Sequence, residues 1–304
     1  MAIPQREFVG YRRENGAAGI RNLLLALPAV VCANRAAFAA AQAVPEAVAL
    51  EHPLGCAQIG ADKEQTFRTL VGIGSHPNVH HTTVIGLGCE GIAAQTIFQG
   101  IRNRGRSADV LTIQETGGTT LTADKAAKQL TAKSSLNDPV AQETLPADQL
   151  IVGIGNFEAL GDKGRAIIEE ILVRGGRVLE AVTTPQADTL LYAEPYPMAL
   201  RHATMHVLTG DSETLTGLAA AGAQIILAQA DSVHLGGHPV CPVIRIGYNP
   251  QLWPALADDI DGMIDQRNPS AWVDYLFDVA SGKLTASELL GSQLFAIERV
   301  GPTL

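Results

Sequence analysis

Three cysteines each follow an apolar, strand-like run: Ala-Val-Val-Cys32-Ala-Asn, His52-Pro-Leu-Gly-Cys56 and Ile-Gly-Leu-Gly-Cys89-Glu90. In open parallel sheets the carboxyl ends of the strands share one rim, so thiols distant in sequence, with His52, can converge there. Thiolate and imidazole suit iron or zinc, and three thiolates with an open position suit a site-differentiated iron–sulfur cluster or a catalytic metal. Cys32, Cys56 and Cys89 are therefore the candidate ligands. The competing reading makes them core residues, since free Cys is often buried. Glycine beside Cys56 and Cys89 favours exposed turns. The four cysteines include no Cys-x-x-Cys pair, which fits neither a disulfide scaffold nor a zinc ribbon.

The last of these turns, Gly86-Leu-Gly88-Cys-Glu-Gly91, also matches the Gly-x-Gly-x-x-Gly dinucleotide fingerprint between a strand and a helix, with Glu115 at the end of the next strand. A carboxylate in that loop would repel a pyrophosphate. The alternative is that the glycines present Cys89 and Glu90 above a helix N-terminus, which favours a thiolate or an anionic substrate. Proton transfer has candidates in Glu90, His52 and His234, the last in the Gly-rich segment His234-Leu-Gly-Gly-His238 near Cys241. His76, His80 and His81 read as a solvated turn before a strand.

Arginine density before the first strand, in Tyr11, Arg12, Arg13 and Arg21 with Asn22, suits a bidentate carboxylate clamp or, more plainly, a solvated arm. Gln114, Gly117 and Gly118 belong to a strand-end loop whose backbone N–H groups can cradle an anion or serve as a turn and helix cap. Asp258, Asp259 and Asp261 lack a complete calcium-loop spacing and read as a solvated face.

The elements that must position these groups alternate strand and helix. Strands are expected at Leu23–Val31, Ala47–Leu50, Thr82–Leu87 and Val110–Gln114, with helices at Asn34–Ala43, Asp62–Val71 and Ile92–Arg104. A polar, breaker-rich stretch follows, and a second series runs from Leu150 through Ile246 to a helical tail. This pattern predicts an α/β protein of two Rossmann-like domains with mainly parallel sheets: residues 1–125, a linker at 126–149, and residues 150–304. The 304 residues carry 22 Lys and Arg against 31 Asp and Glu, a formal charge of −9. That balance gives no footprint for nucleic acid. The longest apolar run, Leu23 to Ala33, is too short to span a bilayer, and the N-terminus lacks a signal-peptide core, so a cytoplasmic protein is expected.

Taken in order, Gly10-Tyr11-x-Arg13-x-x-Gly16-x-x-Gly19-x-Arg21-Asn22, Cys32-Ala-Asn34, His52-x-x-Gly55-Cys56, His76-Pro77-Asn78-Val79, Gly86-Leu-Gly88-Cys89-Glu90 and Ile113-Gln114-x-x-Gly117-Gly118 resemble the altronate/galactarate dehydratase family, which includes the large subunit of sulfolactate sulfo-lyase. Tyr192-Ala-Glu194-Pro195, Thr216-Gly217-x-Ala219-Ala220-x-Gly222-Ala223, Pro242-Val-Ile and Asp258-Asp259-x-Asp261 are similar to the family's C-terminal domain. The resemblance implies a lyase that uses iron, as Fe2+ or an iron–sulfur cluster, to eliminate water or another β leaving group from a small hydroxy- or sugar-acid carboxylate. It also implies thiolate-bound iron as Lewis acid, Arg12, Arg13 and Arg21 on the carboxylate, and His or Glu90 moving protons. Members usually carry a small β domain or a separate small subunit of that type. The chain has neither and reads as a shortened member, so a small partner subunit or a homo-oligomer is expected.

Departures from the family pattern fall in the second half. Ile151-Val-Gly-Ile-Gly-Asn156-Phe-Glu158 stands where members carry Glu-Cys-Gly-Gly-Ser-Asp, and Ala230-Asp231-Ser232-Val233-His234 replaces a Thr-Gly-Arg-Gly-like loop. A non-catalytic relative that binds a carboxylate or metal, or a nucleotide-binding oxidoreductase resting on the Gly86 to Gly91 loop, are the alternatives.

Overall fold

A computed structural model describes residues 6–208, 210–251 and 253–301. Residues 1–5, part of the stretch read against a signal peptide, lie outside them. The Arg-rich arm is a strand, β1 (Glu7–Arg12), paired antiparallel with β2 (Ala18–Gly19). Phe8 and Gly10 alternate inward along it, as a strand with one covered face requires.

The first parallel sheet contains β3 (Leu23–Pro28), β4 (Ala47–Ala49), β5 (Val79–Gly86) and β6 (Ala108–Thr112), in spatial order β4-β3-β5-β6. Crossovers run through α1 (Asn34–Gln42), α2 (Gly60–Gly74) and α3 (Ala94–Asn103). A single turn, α4 (Ile113–Thr116), then leads into α5 (Thr119–Ala132). β3 is apolar along its whole length because helices cover both of its faces. Alanines 36, 37, 40 and 41 bury the inner side of α1, and their small size lets the helix lie close to α5.

The stretch read as a linker contains the end of α5 and a further strand, β7 (Glu143–Pro146), which returns to β1 with Phe8 opposite Leu145. Only Leu145 of that strand is buried, too little alternation for a pattern to reveal. The second parallel sheet follows, with β8 (Ile151–Gly155), β9 (Arg177–Val182), β10 (His202–His206), β11 (Ile225–Ala230), β12 (Val243–Gly247) and β13 (Gly262–Met263). Their order is β10-β9-β8-β11-β12-β13. Helices α6 (Gly161–Val173), α7 (Asp211–Ala221), α8 (Trp253–Leu256), α9 (Pro269–Ala280) and α10 (Ala286–Leu290) complete it. The fold is thus α/β with mainly parallel sheets.

Helices α2 and α7 join the halves through small residues. A Cβ on Gly72 would run into the Ala220 carbonyl, so glycine permits the close approach. Polar side chains add to the seam: the buried Asn78 donates to the carbonyls of Gln224 (2.8 Å) and Val240 (3.0 Å) and accepts from the Ile20 N–H (2.9 Å). Among the described residues no helix is long and apolar enough to cross a membrane.

Candidate functional site

At the carboxyl rim of the first sheet the loops stand side by side in strand order. Cys56 follows β4, Cys32 follows β3, Cys89 follows β5 and Gln114 follows β6. Chain order reverses between β3 and β5, the switch point where open α/β sheets form their ligand crevice, and Cys32 and Cys89 flank it. All three thiols are free and exposed. The pKa of Cys56 is raised, first by partial desolvation and then by the nearby Cys32, Cys89 and Glu90, while the Gly91 backbone lowers it. The thiols therefore converge into one electrostatic neighbourhood. Among the described residues no three His, Cys, Asp or Glu side chains are placed to cage a single metal ion. The donor set itself suits iron: three soft, accessible thiols whose mutual field disfavours a thiolate, and which a cation would relieve.

Glycine is required in these loops. Gly55, at φ +106°, lies so close to the Ala29 carbonyl and to Val30 that a side chain would collide, and Gly88 turns at φ +119° against the Gln114 amide. Glu90 folds back beneath its own loop and accepts from the N–H groups of Gly88 (2.6 Å), Leu87 (3.1 Å) and Ala94 (3.2 Å). Burial opposes its ionisation, yet these backbone donors outweigh it and hold the carboxyl below its ordinary range. Glu90 braces the turn that carries Cys89.

His52 is buried, with Nε2 2.8 Å from the Pro28 carbonyl and Nδ1 accepting from the Leu54 N–H at 3.2 Å. Burial lowers its pKa despite the Pro28 contact, and both ring nitrogens are committed to backbone. It shapes the loop leading to Cys56. Its backbone carbonyl accepts from Asn34 Nδ2 (3.0 Å), while Asn34 Oδ1 is buried beside the rim without a partner.

The second sheet changes chain order between β8 and β11, and His234 stands just past β11 there. Asp231 Oδ2 is 2.9 Å from His234 Nδ1 and orients the ring, while Asp231 Oδ1 accepts from the N–H groups of Val233 and His234. The fully buried Arg245 fixes this loop by donating to the carbonyls of Gly236 and Gln229, and it pairs with Asp211. His238, from the same loop, lies 5.8 Å from the Phe295 ring, which in turn lies 6.3 Å from His52. Phe295 thus lies between His52 and His238, the latter where the loop after β11 has returned toward the start of the second sheet's strands. A cavity of about 340 Å³ opens beside it, between Pro53 and Leu54 of the thiol loop, Leu208, Glu213 and the tail segment Phe295–Arg299.

The expected arginine clamp stands elsewhere. Arg13, Arg21 and Asn22 occupy the amino rim of the first sheet, before β3 and β5 begin. Arg13 donates to the carbonyls of Pro77 and Arg21 and to Asn22 Oδ1, and Arg21 holds Glu288 bidentately together with three carbonyls. β5 alone separates the two rims by eight residues, roughly 25 Å. The Gly117 and Gly118 N–H groups, expected to cradle an anion, both donate to the Ile113 carbonyl and close the α4 turn. Sequence reasoning missed the Asp211–Arg245 pair, although an arginine inside the apolar strand Val243–Gly247 signals a buried partner.

Family models describe both halves. Residues 10–135 match "D-galactarate dehydratase/Altronate hydrolase, second domain" and residues 176–303 match "D-galactarate/Altronate dehydratase, C-terminal". The chain belongs to the galactarate/altronate dehydratase family. It is 41% identical over 117 residues to (2R)-sulfolactate sulfo-lyase subunit beta of Chromohalobacter salexigens, covering 38% of this chain and 30% of that one. It is 40% identical over 95 residues to altronate dehydratase of Bacillus subtilis, and 38% identical over 95 residues to that of Escherichia coli, each match covering 28% of this chain and 19% of the relative. The chain therefore matches under a third of each relative's length. Every residue of the thiol rim lies inside the first matched segment, and His234 lies inside the second.

Proposed function

We propose that the chain acts as an iron-dependent lyase on a small hydroxy- or sugar-acid carboxylate, removing a β leaving group to give a 2-keto acid. The observation that carries this reading is the convergence of Cys32, Cys56 and Cys89, exposed, at the switch point of the first sheet. Those three residues would hold the iron, as Fe2+ or as an iron–sulfur cluster with one open iron. Bound there, iron would supply Lewis acidity for the enolate-like dianion and the departing group.

The remaining roles fall to this chain's own side chains. His234, oriented by Asp231, takes the α-proton at Nε2, the nitrogen its partner leaves free. Glu90 and His52, committed to backbone, position Cys89 and Cys56 rather than carry protons. Gln114 packs on Gly88 and sets the width of the crevice. The cavity beside Phe295, walled on one side by Pro53 and Leu54 of the loop that leads to Cys56, receives the substrate. The name of one relative, a subunit beta, supports a complementary small subunit or assembly with other copies. Four free thiols suit the cytoplasm.

The test is incubation of anaerobically purified, iron-reconstituted protein with a panel of aldonates, aldarates and sulfolactate, followed by 2-keto acid detection. Product that disappears in His234→Asn supports the reading. Iron binding with no product from any substrate would favour a non-catalytic relative.

A further inference from the structure

The amino rim of the first sheet contains a second cavity, of about 210 Å³, far from the thiols. Four elements meet around it: the end of β1 with Arg12 and Arg13, the start of β5 with His80, the turn before β6 with Arg106 and Ser107, and the segment after α5 with Lys133 and Val140. In a chain of net charge −9, this is a local concentration of cations. Glu14 and Asp138 also line it, but Asp138 is engaged by Lys133 at 2.9 Å, and Arg12 is engaged by Glu143 at 2.5 Å. Arg13, whose Nε and one N–H of each Nη already donate to Pro77, Asn22 and Arg21, stands near Arg106, which has Glu14 as its nearby carboxylate.

Both arginines are more than nine-tenths buried, at 5% and 4% exposure. Arg106 gives one Nη2 hydrogen bond to the Val79 carbonyl, while its Nε is buried with no partner. His80 Nε2 is buried in the same state, 3.5 Å from Asp138 and outside hydrogen-bond geometry. A guanidinium buried with an unmet N–H costs free energy that an anionic acceptor recovers. Burial, and then the charge of Arg106, lower the pKa of Arg13 to about 9, and burial lowers that of Arg106 to about 10, so both remain cationic at neutral pH. An anion between them would offset that repulsion.

We infer that this cavity is a binding site for a small, doubly charged oxyanion such as a phosphate group, held by Arg106 and Arg13 with Lys133 and His80 at its edge. The site is separate from the thiol rim and does not depend on the chain's being a lyase. Its ligand would tie β1 and the segment after α5 to the first sheet, and so stabilise the folded chain by mass action.

The experiment compares thermal unfolding and titration calorimetry of the whole chain in inorganic phosphate and in chloride at equal ionic strength, with glycerol phosphate as a further arm. Saturable binding and a raised melting temperature in phosphate are expected, with affinity weakened about tenfold or more in Arg106→Gln, which removes a charge-assisted contact. Val140→Asp, which places a carboxylate at the cavity without touching the core, should abolish binding while leaving the melting temperature in chloride unchanged. That variant decides the matter if Arg106→Gln does not fold. Tighter binding of glycerol phosphate than of phosphate would assign the site to a phosphate ester, and the reverse to the free ion. Equal stability in phosphate and chloride, or phosphate binding retained in Val140→Asp, would overturn the inference.

Discussion

The two rims of the four-stranded sheet each carry motifs of the family but treat their polar residues in opposite ways. At the amino rim Arg13, Asn22, His76 and Asn78 are enclosed, and most of their donors and acceptors are matched to backbone groups, several of them in the other half of the molecule. At the carboxyl rim Cys32, Cys56 and Cys89 are exposed thiols on loops braced from beneath by His52 and Glu90. A motif rich in Arg, Asn and His is therefore no guide to chemistry on its own. The same residue types build architecture where their hydrogen bonds are met and chemistry where they are left open.

Substitutions should separate the rims sharply. The largest effect is expected at Asn78→Ala, which strands the Ile20 N–H and the Gln224 and Val240 carbonyls in the core. Urea denaturation should report a loss of about 4 kcal/mol, and a loss below about 1 kcal/mol would deny that rim its structural role. Acid should act next, through His76. Its Nε2 meets the Ala223 carbonyl at 2.8 Å and its Nδ1 accepts from the Asn78 N–H, so protonation breaks a contact at the seam. Burial, opposed by the Ala223 hydrogen bond and aided by Arg106 and Arg13, lowers its folded pKa to about 4. The unfolded side chain titrates near 6.5, so the unfolded state takes the proton first as pH falls. Stability is then full above about pH 6.5 and declines toward pH 4, by on the order of 3 kcal/mol from this residue. His76→Gln, which keeps a donor for Ala223, should flatten that part of the curve. An unchanged curve would place the acid sensitivity elsewhere. Smallest of all should be the stability effect of Cys56→Ser or Cys89→Ser, within about 0.5 kcal/mol for exposed side chains. A loss of several kcal/mol would mean that the thiols are structural after all.

Much of the fold was legible because its parallel strands are buried on both faces and read as apolar runs, and the α1, α3 and β3 boundaries fall within a few residues of expectation. β10, His-Ala-Thr-Met-His at a sheet edge, lacks that signal, as does β7. The thiol convergence was legible because each Cys follows a strand. The arginines were misplaced although the same rule applies to them: Arg21 and Asn22 precede β3, and residues before a parallel strand occupy the rim opposite to residues after it. The commitments of His52 and Glu90 to backbone were not legible, since they depend on loop paths that no spacing encodes.

The central claim, that the three thiols form the centre of iron chemistry, is tested most directly by iron analysis with Mössbauer or visible spectroscopy on anaerobically reconstituted protein, beside the Cys32→Ser/Cys56→Ser/Cys89→Ser variant. The account predicts stoichiometric iron with a thiolate signature in the native chain and none in the folded variant. Iron absent from the native chain, or retained by the triple variant, would contradict it.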